Sequence, residues 1–247
     1  MELHGRWIDR TRTSAFEVMN KMLIFLNFLF SLYANLWLNG PKEAHELPNH
    51  RFDEKLPSFV KRPDLYKWLN GYHDKYGQNV AVKYNCQVEN VVFQNDDKFA
   101  VTWSESESAE HKTAIFDYVI VATGHFSVPN VPNFPGEEKF NGELIHSTDY
   151  RDGRLFQGKR ILLIGGSHST EDIALQCWKF GAKYTHITHR KPEPMGFKFP
   201  DGITEKDAFL KDFNENGVIF QDGTFEEYDV IIKCTGELQI QHLIQEW

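Results

Sequence analysis

Apolar and polar positions alternate with two periods along the chain. Between Pro63 and Tyr76, Leu65, Leu69, Tyr72 and Tyr76 recur at helical spacing, with proline in the first turn and Gly77 past the end. This predicts a surface helix with one buried face. Three β-like runs follow, Val88 to Phe93, Phe99 to Trp103 and Tyr118 to Ala122, with Asn95-Asp96-Asp97 as a turn between the first two. The charged, serine-rich stretch Ser104 to Lys112 reads as an exposed loop. The third run, within YVIVATG, is apolar nearly throughout, as expected of a strand buried on both faces of a parallel sheet. Residues 1–21 are polar and unpatterned, with no strong strand or helix signal.

Pro129, Pro132 and Pro135 mark a connector that reads as a boundary between two lobes. Beyond it the pattern becomes strand, helix, strand: Arg160 to Ile164, Glu171 to Phe180, then Tyr184 to Thr188. A last apolar strand, Asp229 to Thr235, repeats the hydrophobic-run-then-TG ending of Tyr118 to Gly124.

The strongest local motif is RILLIGGSHSTEDIA, Arg160 to Ala174. A buried strand runs into small residues and then into a helix, the arrangement that binds dinucleotides. Gly165 allows the sharp turn. Ser167 stands where a second glycine is usual, and Thr170 replaces the third small residue. Ser169 and Glu171 share the first helical turn. N–H groups at the helix start, with the helix dipole, suit a pyrophosphate. An ordinary strand–turn–helix without a ligand has the same pattern. The second strand ends in Thr188-His189-Arg190-Lys191, where an NAD site carries an acidic residue and an NADP site a basic one for the 2′-phosphate. NADP(H) is therefore the expected ligand, a solvated basic turn being the alternative.

Composition narrows the partners. The chain has 247 residues, 41% hydrophobic and 25% charged, which suffices for one or two domains with a core. A net charge of −8 without a basic stripe argues against nucleic acid. Cys86, Cys177 and Cys234 are widely spaced, with no metal-ligand pattern, and fit buried thiols in a cytoplasmic, reducing setting. Met22 to Leu38 carries no charge but includes Asn27, Ser31 and Asn35, which makes it marginal as a membrane span. A buried apolar segment is the leading reading and weak membrane association through 22–38 the alternative.

The segment Phe140 to Tyr150, FNGELIHSTDY, fits F-x-G-x-x-x-H-x-x-x-[YF] just ahead of the dinucleotide turn. With NGPKE at Asn39 to Glu43, VATGHFSVP at Val121 to Pro129 and EPMGFKFP at Glu193 to Pro200, it resembles the flavin-containing monooxygenase family, of the bacterial trimethylamine monooxygenase type. The resemblance covers about residues 31 to 236. It implies an α/β, Rossmann-like flavoprotein architecture of two dinucleotide-binding domains, with a small antiparallel β-meander. It also implies NADPH and O₂ as reactants, FAD as a cofactor whose site is incomplete here, and a small amine or sulfide substrate that is oxygenated at a soft nitrogen or sulfur. Tyr150, where the related Baeyer–Villiger enzymes have tryptophan, favours heteroatom oxygenation. By the same resemblance Asn39 is the catalytic asparagine facing flavin and nicotinamide, the alternative being a plain Asn-Gly-Pro turn. His146 reads as a hydrogen-bonded linker histidine. The cofactor residues are Thr123, Gly165, Ser167, Ser169, Thr170, Glu171, Arg190 and Lys191.

Two parts of the family pattern are missing, the N-terminal FAD-binding glycine turn and, after Gly236, the long segment with which similar enzymes complete the FAD domain and the substrate pocket. Members begin with a βαβ unit whose G-x-G-x-x-G turn holds FAD, but the only glycine before Asn39 is Gly5. The implied organisation is an atypical segment 1–30, a partial FAD domain 31–157, an NADP domain 158–236 and a short tail 237–247. The chain then reads either as a monooxygenase or as a catalytically inactive NADP-binding fragment.

Overall fold

The computed structural model describes residues 7–9, 22–25, 33–78, 80–105, 108–122, 128–191 and 193–238. Its chain divides into two units, residues 1–30, 37–128 and 237–247 in the first and residues 31–36 and 129–236 in the second.

In the first unit, β1 (Trp7–Asp9) is a strand in a region whose sequence shows no strand signal, and β2 (Met22–Phe25) opens the apolar stretch. Residues 26–32 lie outside the described residues, and Tyr33–Leu38 follow as an irregular turn. Among the described residues no helix is long and apolar enough to cross a membrane. The helix α1 (Arg62–Tyr76) forms where predicted, but its packing face is rotated: Trp68 is buried against Phe52, with ring centroids 4.1 Å apart, while Leu69 and Tyr76 are exposed. The larger indole fills the small core of Phe52, Val60 and Trp68, so it decides the orientation.

After β3 (Ala81–Lys83), which runs antiparallel to β1, come β4 (Cys86–Phe93), β5 (Phe99–Glu105) and β6 (Ser108–Phe116), an antiparallel sheet. Here the expected loop Ser104 to Lys112 is corrected, because most of it is strand. Within it Lys112 pairs with Glu105 across the ladder at 2.8 Å, and just beyond its two ends Thr102 and Thr113 share a hydrogen bond of 2.9 Å. A charged, serine-rich sequence suits an edge strand that has one solvated face and keeps other sheets off. β7 (Tyr118–Val121) runs parallel to β2, as a parallel sheet was expected, yet Tyr118, Ile120 and Val121 are exposed. Its described sheet has only these two strands, so the expectation of burial on both faces fails. β8 (Val128–Pro129) leads into the connector.

The second unit has a five-stranded parallel sheet. Its strands are β9 (Glu143–His146), β10 (Arg160–Ile164), β11 (Tyr184–Thr188), β12 (Ile203–Glu205) and β16 (Val230–Lys233), in the order β12-β11-β10-β16-β9. β10 is buried on both sides. Ile161 and Leu163 pack with Ile173, Ala174 and Cys177 of α2 (His168–Lys179). Leu162 and Ile164 face a second meander, β13 (Leu210–Asn214), β14 (Gly217–Phe220) and β15 (Phe225–Glu227), which the sequence pattern does not announce. The result is three layers around one apolar strand. β17 (Glu237–Leu238) follows β16.

Candidate dinucleotide-binding site

Three parallel strands end level with one another, and that edge is the candidate site. Ile164 of β10 pairs with Thr188 of β11 on one side and with Lys233 of β16 on the other. Further backbone bonds, Gly165 N to Thr188 O at 2.9 Å and Cys234 N to Ile164 O at 2.8 Å, hold the three ends in register. The connections that follow, at 165–167, 189–191 and 234–236, therefore share the carboxyl edge, where open α/β sheets bind ligands.

Gly165 is required by its surroundings. Its φ is +152°, and a Cβ there would lie 2.1 Å from the Cys234 carbonyl oxygen. A Cβ on Gly166 would reach the His189 ring at 3.0 Å. Ser167 caps α2 with its carbonyl, which accepts from Thr170 N at 2.9 Å and Glu171 N at 3.2 Å, while its side chain makes no capping bond. The remaining first-turn donors of a twelve-residue helix thus face the edge and suit an anion. Ser167 and Ser169 are exposed there, and Glu171 is half-buried, 3.6 Å from His168 Nδ1. Thr170 is wholly buried, and its hydroxyl, without a hydrogen-bond partner, points at Gly165. Lys191 reaches back over the turn and donates to the Gly166 carbonyl at 3.0 Å, which sets an ammonium over the turn. Arg190 is exposed at the same edge.

Of the other expected residues, Thr123 lies outside the described residues. Asn39 is exposed in a bend of the first unit. Its motif is anchored by Lys42, a buried ammonium that donates to the carbonyls of Asp53 (2.8 Å), Glu54 (3.3 Å) and Leu56 (2.6 Å).

The fingerprint Phe140–Tyr150 contains β9, and its fixed positions do separate jobs. Phe140 packs edge-on against Phe213. Gly142 leaves room for that ring, since a Cβ would lie 2.4 Å from Phe140 Cζ. His146 is buried, its Nδ1 accepting from Thr148 N at 3.2 Å, and burial holds its imidazole below the ordinary pKa against the pull of Asp149. Tyr150 is fully buried, stacked on Phe156 and bonded to Gln176 at 3.3 Å. Cys86, Cys177 and Cys234 are all buried, and burial pushes the Cys177 thiol up to about 12.

Three features escape a sequence reading. His189 pairs with Glu205 at 2.6 Å, and Glu205 also accepts from Met195 N at 2.9 Å, which folds the EPMGFKFP loop back toward the edge. Lys233, buried in β16, bonds both Glu137 oxygens at 2.7 Å and the Pro132 carbonyl at 2.9 Å. A charge inside the apolar run VIIKCTG was its signal. Tyr33 donates to Asp172 across 139 positions, with no signal in the sequence.

Fold and edge together define an α/β protein whose parallel sheet carries a glycine turn and a helix start at its carboxyl edge. The chain matches the Flavin-binding monooxygenase-like family over residues 27–192. It is 45% identical over 213 residues to a trimethylamine monooxygenase of Pelagibacter ubique (strain HTCC1002), covering 84% of this chain and 47% of that protein. It superposes on the crystal structure of Tmm from Pelagibacter sp. strain HTCC7211 with a TM-score of 0.81 at 40% identity, covering 87% of this chain and 49% of the other. The S-allyl-L-cysteine S-oxygenase of Allium sativum follows with a TM-score of 0.74 at 28% identity, over 87% and 51% of the two chains. The protein belongs to the flavin-containing monooxygenase family, and it spans about half the length of these relatives.

Proposed function

We propose that the chain binds NADP(H) at the edge formed by Gly165–Thr170, Arg190 and Lys191, and that it does so in the service of flavin-dependent oxygenation of a soft nitrogen or sulfur nucleophile. In that reaction NADPH supplies two electrons, one atom of O₂ goes to the substrate and the other to water. The observation that carries the reading is the turn itself. Gly165 has no room for a side chain, the α2 donors face the edge, and the Lys191 ammonium already sits over the turn. Arg190 would pair with the 2′-phosphate through a bidentate guanidinium. The substrate class follows the printed activities of the relatives, a trimethylamine monooxygenase and an S-oxygenase. Asn39 is the residue we assign to the reacting end of the nicotinamide, by the same likeness. Cytoplasmic residence fits the three buried cysteines.

The residues present do not fit FAD in the same way. β2 pairs in parallel with β7, but the sequence after it, Leu26-Asn27-Phe28, has no glycine through which backbone could approach a pyrophosphate. That observation favours a second reading, an NADP(H)-binding protein without oxygenase turnover. Calorimetric titration with NADPH and NADH tests the first claim, and absence of binding would refute both readings. A visible flavin spectrum retained after mixing with FAD and gel filtration would favour the oxygenase, and its loss the binding protein.

A further inference from the structure

Tyr33–Leu36 belongs to the second unit although the next residues, from Trp37 to Val128, belong to the first. Four contacts hold it. The Tyr33 hydroxyl donates to Asp172 Oδ2. Gln176 Nε2 donates to Asn35 O and to Asp172 Oδ1, each at 3.4 Å. Ala34 N donates to Arg151 O at 2.8 Å. The Tyr33 ring meets the fingerprint Tyr150 edge-on at 5.3 Å. Asp172 is the fifth residue of α2, the helix whose first turn lines the candidate edge. Beyond Leu36 the backbone reaches Asn39 within three residues, by way of Trp37, bridged to Lys61, and Leu38, whose N–H donates to Val60 O at 2.8 Å.

We propose that Tyr33 and Asp172 are a positioning pair, which ties the stem of Asn39 to helix α2 so that a dinucleotide seated on the turn stiffens the segment carrying Asn39. This rests on the NADP(H) reading above. Neither side chain touches the ligand. A ligand that orders the first turn of α2 lowers the opening frequency of whatever is bonded to that helix, and the Tyr33 hydroxyl is the direct bond. The stem then becomes less mobile without any contact of its own with the phosphates.

Deuterium uptake of the 247-residue chain, with and without saturating NADPH, tests the pair in the wild type and in Tyr33→Phe, which keeps the ring against Tyr150 and removes only the hydroxyl. Peptides covering 165–172 should be protected by NADPH in both proteins, with dissociation constants within about 3-fold. Peptides covering 33–40 should slow by about 5-fold or more in the wild type and by less than about 2-fold in Tyr33→Phe. Asp172→Ala should behave as Tyr33→Phe does; should it fail to fold, Tyr33→Phe decides alone. Equal protection of 33–40 in wild type and Tyr33→Phe, or none in the wild type, overturns the proposal. Absence of protection over 165–172 in the wild type overturns the NADP(H) reading instead. In that case the ligand-free exchange decides the tie: faster uptake over 33–40 in Tyr33→Phe upholds it and unchanged uptake removes it.

Discussion

Gly165 stands so close to the backbone of Cys234 that a Cβ at position 165 would lie 2.1 Å from the Cys234 carbonyl oxygen. The clash is with backbone that is itself bonded into the sheet, so no side-chain movement relieves it. Gly165→Ala should cost about 2–3 kcal/mol of stability and weaken NADPH binding at least about 10-fold. Urea unfolding and titration check this. A loss below about 0.5 kcal/mol would mean that the turn relaxes freely.

Arg190 is exposed at the end of β11, where it is open to a 2′-phosphate. Arg190→Ala should weaken NADPH binding by roughly 10- to 100-fold and leave NADH binding nearly unchanged. Arg190→Glu should disfavour NADPH further by like-charge repulsion. Equal losses for both cofactors would show that Arg190 supports the fold and does not read the phosphate.

The buried hydroxyl of Thr170 has no hydrogen-bond partner. Thr170→Val keeps the volume and removes the unpaired polar atom, so it should raise stability by about 1 kcal/mol. A drop of that size in thermal or urea unfolding would mean that the hydroxyl is paired in solution.

Lys233 and Glu137 form an ion pair with Lys233 wholly buried. Lys233→Met alone leaves a carboxylate without its cation and should cost about 3–5 kcal/mol. Adding Glu137→Leu should recover most of that loss, because an apolar pair replaces a desolvated one. Unfolding of the two single variants and the double variant measures the coupling, and simple additivity would show that the pair is not interacting.

His146 and His186 both have imidazoles held below the ordinary value of 6.5, chiefly by burial, in the case of His186 against the carboxylate of Glu226. The unfolded chain binds these protons more readily. Stability from both groups is therefore complete above about pH 6.5 and falls as pH drops through that value toward the folded-state pKa. Each contributes a slope of at most about 1.4 kcal/mol per pH unit. His146→Asn retains an acceptor for Thr148 N and should flatten the profile. An unchanged slope between pH 5 and 7 would mean that His146 does not titrate with folding.

Much of the second unit is legible because its signals are local. An apolar run, two glycines and an acidic first helical turn place Gly165, Ser167, Ser169, Thr170 and Glu171 on one turn. The parallel register then brings Arg190 and Lys191 to the same edge. Ser104 to Lys112 misleads because charge marks exposure, and an edge strand is as exposed as a loop. The rotation of α1 onto Trp68 depends on Phe52, a partner outside the helix. The Tyr33–Asp172 bond depends on folding alone, since nothing in either neighbourhood names the other.

The placement of Tyr33–Leu36 in the second unit also sets an order of assembly during synthesis. Asp172 is made 139 residues after Tyr33, roughly 7 to 28 seconds later at ordinary ribosomal rates. Through that interval Tyr33 has no helix to meet. The parallel sheet beneath α2 completes later still, when Val230–Lys233 emerges between strands made long before it. A nascent chain halted between β11 and β16 would carry the glycine turn and Tyr33 but lack the strand that joins β9 to β10.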